Sequence, residues 1–133
     1  MLKKLAHLTL YVRDCEEALR FYTEKLGFEK RMDSRMDNGS RWLTIGLPDQ
    51  ELEIVLHDPT HWHREDVAEQ MLAQVGKNPM WVWHTDDLHG TYEVFRQRGV
   101  TFLSEPRDVM YGTEAVFTDL YGNPYLLLQP ASV

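Results

Sequence analysis

An α+β fold is predicted: two paired βαβββ modules whose strands form a curved, cup-shaped mixed sheet with the helices outside. Three observations carry it. A strand-like alternation at residues 5–12 runs into a capped helix, three further strand patterns follow, and the same order restarts near residue 80. In LAHLTLYV, Leu8, Leu10 and Val12 face one way while His7, Thr9 and Tyr11 face the other. Asp14 then stands as N-cap of DCEEALRFYTEKLGF, with Glu16 and Glu17 in the first turn, where the helix dipole favours them. Ala18, Leu19, Phe21, Tyr22 and Leu26 recur at helical spacing, and Gly27 closes the helix. Strands are predicted at 28–36, 40–47 and 51–57, with turns at Asp37-Asn38-Gly39 and Pro48-Asp49-Gln50.

Residues 58–79 read as a polar connector with one short helix. MWVWHTDD then alternates as the first strand does, Asp87 caps LHGTYEVFRQRGV, and Gly99 closes that helix. Strands at 100–103, 113–118 and 124–129 complete the second half, with Asp119-Leu120-Tyr121-Gly122-Asn123 as the last turn. His7 corresponds to Met80 and Asp14 to Asp87, a displacement of 73 residues (80 − 7), and Glu53 corresponds to Leu126 at the same displacement. The chain is thus expected to be one domain over residues 1–133, with module one at 1–57, the connector at 58–79 and module two at 80–130.

Composition narrows the function. The 133 residues are 43% hydrophobic and 26% charged, as in ordinary globular chains, with a net charge of −7. No basic run offers a face to phosphates, so no nucleic-acid partner is expected. No stretch approaches the roughly 20 apolar residues of a membrane span, and MLKKLAHL lacks the apolar run of a signal peptide. A cytoplasmic protein without a membrane partner is the expectation. Cys15 is the sole cysteine, which excludes an intrachain disulfide and a thiolate cluster.

A helix over one sheet face leaves the other face bare. Regular alternation puts His7, Thr9, Tyr11, Glu51, Glu53, Val55 and His57 on that bare face. Two such units side by side would curve into a trough of aromatic, apolar and a few charged groups, which is what a small-molecule pocket needs. Tyr11, Trp42, Val82 and Tyr111 are its candidate lining residues, with Tyr111-Gly112 in a loop that could cover it. Trp81 and Trp83 fall on the opposite face from Met80 and are expected under the second helix. His61 and His63, in HWH, are expected in a surface or interface segment.

AHLTLYVRDCEEALRFYTEKLGFE, LEIVL, HTDDLHGTYEVFRQRGVTF and FTDLYGNPYLLLQP, in that order, resemble the vicinal oxygen chelate superfamily of glyoxalase I, bleomycin-resistance proteins and extradiol dioxygenases. The resemblance implies paired βαβββ modules, often completed by dimerisation, so a homodimer is expected. It also implies metal ligands at four positions, which here read His7, Glu53, Met80 and Leu126. His7 and Glu53 are suitable donors, Met80 offers only a thioether and Leu126 offers nothing. His84, Glu51, His57 and Glu114 are conceivable substitutes. The expected function is therefore binding of a small molecule in the concave sheet, by His7, Tyr11, Trp42, Glu53, Met80, His84, Tyr111 and Leu126, with no cofactor favoured. The alternative is a metal-dependent lyase or dioxygenase using His7, Glu53 and a non-standard third ligand on a divalent ion, with Glu51 moving a proton. A third possibility is a structural or regulatory dimer module.

Overall fold

The computed structural model describes residues 1–132; Val133 lies outside the described residues. The chain forms two compact units, Met1–Gly76 and the segment from Lys77 onward. Residues 58–76 of the connector group with the first unit.

In the first unit, β1 (His7–Tyr11) leads into α1 (Cys15–Arg20), followed by β2 (Glu29–Arg35), β3 (Arg41–Gly46) and β4 (Glu53–His57). The sheet order is β1-β4-β3-β2, with β1 parallel to β4 and the other pairs antiparallel. The parallel pair requires a crossover, and α1 supplies it. Asp14 caps this helix by accepting from the amide of Glu17 at 3.1 Å. Beyond Arg20 the helix widens into a π-helical turn, Phe21–Lys25, so the uniform α-helix expected to Leu26 is corrected. The widened turn carries Tyr22 into the core, where its ring meets Phe28 at 5.4 Å. Gly27, at φ +83°, then ends it as expected. Leu10, Leu43, Ile45, Ile54 and Leu56 complete this core with almost no exposure. Each such side chain contributes about 1.5–3 kcal/mol on burial.

After β4 come a single 3-10 turn (Pro59–His61) and α2 (Glu65–Leu72), the short helix expected in the connector. The second unit contains β5 (Trp81–His84), α3 (Leu88–Gln97), β6 (Thr101–Phe102), β7 (Arg107–Val109), β8 (Gly112–Thr118) and β9 (Pro124–Pro130). Its sheet runs β5-β9-β8-β6, with β7 also on β8. The edge strand is thus split, and β7 was absent from the sequence expectation. Leu103 and Ser104 arch between the two pieces and both bind Val116: the Leu103 amide donates to its carbonyl, and Ser104 Oγ accepts from its amide. Asp87 caps α3 through the amide of Gly90 at 3.0 Å, and Gln129 Oε1 accepts from the amide of Leu88. Trp81 and Trp83 pack on the buried Tyr125, on the face where Phe117 meets Phe95 of α3. They lie on the helix side, as their periodicity predicts.

The uniform 73-residue echo is corrected by the register. His7 faces Glu53, 46 positions on (53 − 7), whereas Trp81 faces Tyr125, 44 positions on (125 − 81). Relative to the first strands and helix caps, the last strand has slipped by two residues. Glu53 therefore corresponds to Pro124, and Leu126 to Val55. A slip of two preserves which face each residue occupies, so Leu126 stays on the open face.

Two further positions tie the second unit together, one in the last turn and one at the start of β8. The expected 119–123 turn is closed by Asp119, which accepts from the amides of Tyr121 and Asn123 and from the Asn123 side chain. Asn123 in turn accepts from the amide of Asn78 at 3.0 Å, and its side chain is fully buried. Gly112 sits at φ +149°, and a Cβ there would come 2.1 Å from the carbonyl oxygen of Gln129. Chemical denaturation should show Asn123→Ala destabilised by about 1–3 kcal/mol, because the buried Asp119 carboxylate and the half-buried Asn78 amide each lose one hydrogen bond. Gly112→Ala should lose on the order of 2 kcal/mol in the same measurement, since the close approach is to backbone that cannot swing away.

Candidate functional site

In the first unit, parallel pairing aligns His7 with Glu53, Thr9 with Val55 and Tyr11 with His57 on the face not covered by α1. Thr44 lies beside Val55 in the same row. Trp42, two residues before Thr44 on β3, leans over this face and meets the His7 ring edge-to-face at 5.5 Å. Tyr11 and His57 stand 6.0 Å apart between ring centres. His7, Tyr11, Trp42 and Glu53, all expected in the site, are thus brought to one surface.

His7 Nε2 lies 3.4 Å from Glu53 Oε1. That oxygen is buried and has no hydrogen-bond partner, since the His7 contact is poorly aligned. The other carboxylate oxygen has Arg31 Nη1 at 4.0 Å. Arg31 was not anticipated. A bulge between Lys30 and Met32 frees it from the ladder, and Gly46 on β3 leaves room for it: a Cβ there would meet the guanidinium carbon at 2.9 Å. The guanidinium is held by Glu29 Oε1 at 2.9 Å and by the carbonyls of Leu47 and Gln50. The one available signal was Gly46 itself, an isolated glycine within a strand pattern.

A divalent ion is what the resemblance implies, and the donors can be tested for it. The 3.4 Å between Nε2 and Oε1 is close to the roughly 3.3 Å separating two ligands of a tetrahedral ion with bonds of about 2.0–2.1 Å. The set stops at those two donors, however, and the Arg31 guanidinium already brings a positive charge to the carboxylate. Among the described residues, no group of three or more His, Cys, Asp or Glu could hold a metal ion. These residues do not fit a tightly held divalent ion.

Glu51 is not brought to the site. The strand begins at Glu53, two residues later than expected, and the Glu51 side chain is 90% exposed with Lys4 Nζ at 3.8 Å. His63 lies in the half-exposed segment expected at a surface or interface, and it makes one specific contact there. Its Nε2 lies 3.2 Å from Nε2 of His57, at the edge of the open face.

In the second unit the open face carries Val82, His84, Leu126 and Leu128, aligned by the β5–β9 register. Met80 precedes β5 and is half exposed, as is Val82. Glu114 lies beside Leu128. Its buried carboxylate accepts from the Tyr111 hydroxyl at 2.7 Å and from Arg107 Nε and Nη2 at 3.2 and 2.9 Å. The Tyr111 and Arg107 bonds hold the Glu114 carboxyl below its ordinary value, and the same bond to a carboxylate pushes the Tyr111 phenol up. Tyr111 is therefore a neutral donor tied to β8, and Glu114 is engaged as an acceptor rather than free for a metal.

Comparison with known proteins agrees with this architecture. Residues 4–125 match the family model for the Glyoxalase/Bleomycin resistance protein/Dioxygenase superfamily. The uncharacterised protein YetH of Bacillus subtilis (strain 168) is 33% identical over 127 residues, covering 96% of this chain and 98% of YetH. The crystal structure of UcmS2 is similar with a TM-score of 0.83 and 40% identity, over 96% of this chain and 98% of that one. That of TnmS3, an antibiotic binding protein from Streptomyces sp. CB03234, has a TM-score of 0.80 and 28% identity over 98% of both chains. From the repeated βαβββ order, the parallel pairing in each unit and the match along residues 4–125, the chain belongs to the Glyoxalase/Bleomycin resistance protein/Dioxygenase superfamily.

Proposed function

We propose that this chain is a small-molecule-binding protein that holds an aromatic ligand against the open face of the first unit without a divalent metal. One observation carries the reading. The rings of His7, Trp42, Tyr11 and His57 line a sheet face whose carboxylate, Glu53, is accompanied by a cation from the protein itself, Arg31. A flat ligand gains stacking and edge contacts from such rings. The buried Oε1 of Glu53, lacking a donor, favours a ligand that brings a hydrogen-bond donor or a positive charge beside His7. Similarity to TnmS3, described as an antibiotic binding protein, supports a small-molecule ligand. We assign His84, Tyr111, Met80 and Leu126 to small-molecule binding by the second unit's own open face. The half-exposed Met80, Val82 and Tyr111 support a homodimer that covers apolar surface. No described helix is long and apolar enough to cross a membrane.

Two measurements test this. Elemental analysis of protein purified without chelator should find far less than one equivalent of nickel, zinc, iron or manganese. A full equivalent that His7→Ala removes would overturn the metal-free reading. The planar dye proflavine should bind with an affinity that Trp42→Ala lowers about five- to tenfold, the worth of one aromatic contact of roughly 1–1.4 kcal/mol. Equal affinity in the variant would remove the first unit's open face as the site.

A further inference from the structure

We infer that the segment just after β4 is a wall of the ligand face, pinned in place by His57 and His63 and released when both imidazoles are protonated. The inference rests on the ligand face proposed above and adds to it a positioning residue, His63, and a pH response.

Beyond the buried Pro59, three side-chain contacts hold the segment. The Asn38 side-chain amide donates to the carbonyl of His61 at 3.3 Å, Trp62 Nε1 donates to the carbonyl of Arg41 at 3.3 Å, and His57 and His63 meet at 3.2 Å. The Trp62 ring consequently stands 6.1 Å from that of His57, extending the row Tyr11–His57 by one further aromatic. This is the part of HWH that a linear reading could not use. His61 and His63 do not converge; His63 instead turns back to the last residue of β4.

Among the three contacts, only the imidazole pair titrates. A contact between two Nε2 atoms needs one donor and one acceptor, so it survives with both rings neutral or with one protonated. With both protonated, two N–H groups and two like charges face each other at 3.2 Å, and the contact cannot persist. The groups facing His57 are Tyr11 from β1 and, from the segment itself, His63, Trp62 and Asp58. Burial chiefly, and then His63, push the His57 imidazole below its ordinary value, while the Asp58 charge opposes them. Asp58 is itself occupied, accepting from the amide and hydroxyl of Thr60. One proton between the rings leaves a donor facing an acceptor; a second breaks the pin. The sign follows: because His57 resists its proton in the folded state, the pinned arrangement is fully favoured above the ordinary imidazole range and is lost as pH falls below it.

The test uses the full chain. The indole N–H resonance of Trp62, assigned by its loss in Trp62→Phe, is followed by nuclear magnetic resonance from pH 8 to 5 without any ligand. It should move and exchange faster with water as the pair takes its second proton. In His63→Gln, which keeps a hydrogen-bond partner but no charge, that titration should vanish, whereas His89→Gln on the exposed surface of α3 should leave it intact. A titration of equal size in His63→Gln would overturn the pin. Proflavine, whose charge is constant over this range, supplies the second arm. Its affinity should fall at least fivefold more on acidification in the unmodified chain than in His63→Gln. Equal falls, with the Trp62 titration abolished as expected, would overturn the wall while leaving the ligand face standing. Absence of proflavine binding at pH 8 would instead remove the ligand face, and the wall with it.

Discussion

Parallel pairing of the first and last strand in each unit is the constraint from which the other features follow. A parallel neighbour cannot be reached by a tight turn, so the chain must leave the sheet and return over one face. The crossover helix covers that face and lets it become the core, with Leu10, Ile45, Ile54 and Leu56 fully withdrawn from water. The opposite face remains open for the same reason. Because strand side chains alternate, the register that sets Leu8 and Leu10 beside Ile54 and Leu56 on the helix side also sets His7 beside Glu53 and Tyr11 beside His57. Core and site are two sides of one decision.

The electrostatics of the open face depend on a second, smaller device. A bulge in β2 and a missing side chain at Gly46 admit the Arg31 guanidinium beside Glu53. A partly buried carboxylate beside an imidazole would otherwise need an external cation for company. Here the chain provides its own, anchored by Glu29 and two carbonyls. The second unit shows the same economy in another form: Arg107 and Tyr111 occupy Glu114. Both candidate carboxylates of the open faces thus have a cation of the protein beside them, Arg31 at Glu53 and Arg107 at Glu114.

The superfamily was legible because its evidence is local. Capping aspartates at Asp14 and Asp87, closing glycines at Gly27 and Gly99, and the alternation of LAHLTLYV and MWVWHTDD are properties of consecutive residues. The connector helix and the helix-side placement of Trp81 and Trp83 follow from the same short-range rules. The two-residue slip between the units escaped, because counting along the chain cannot see which residue faces which across a sheet. The split of the second unit's edge strand escaped too, since its pieces are only two and three residues long.

What the sequence by itself determined is the identity and order of the elements and the parity of each strand, since these are set by periods of two and about four residues. It placed His7, Tyr11 and Glu53 on one surface because parity survives errors of register. Only the tertiary structure decided what stands next to them. Arg31 reaches Glu53 across a bulge, Trp42 leans over His7 from two strands away, and His63 returns to His57 from the connector. Each of these contacts depends on packing between segments far apart along the chain, and no local period encodes such distances.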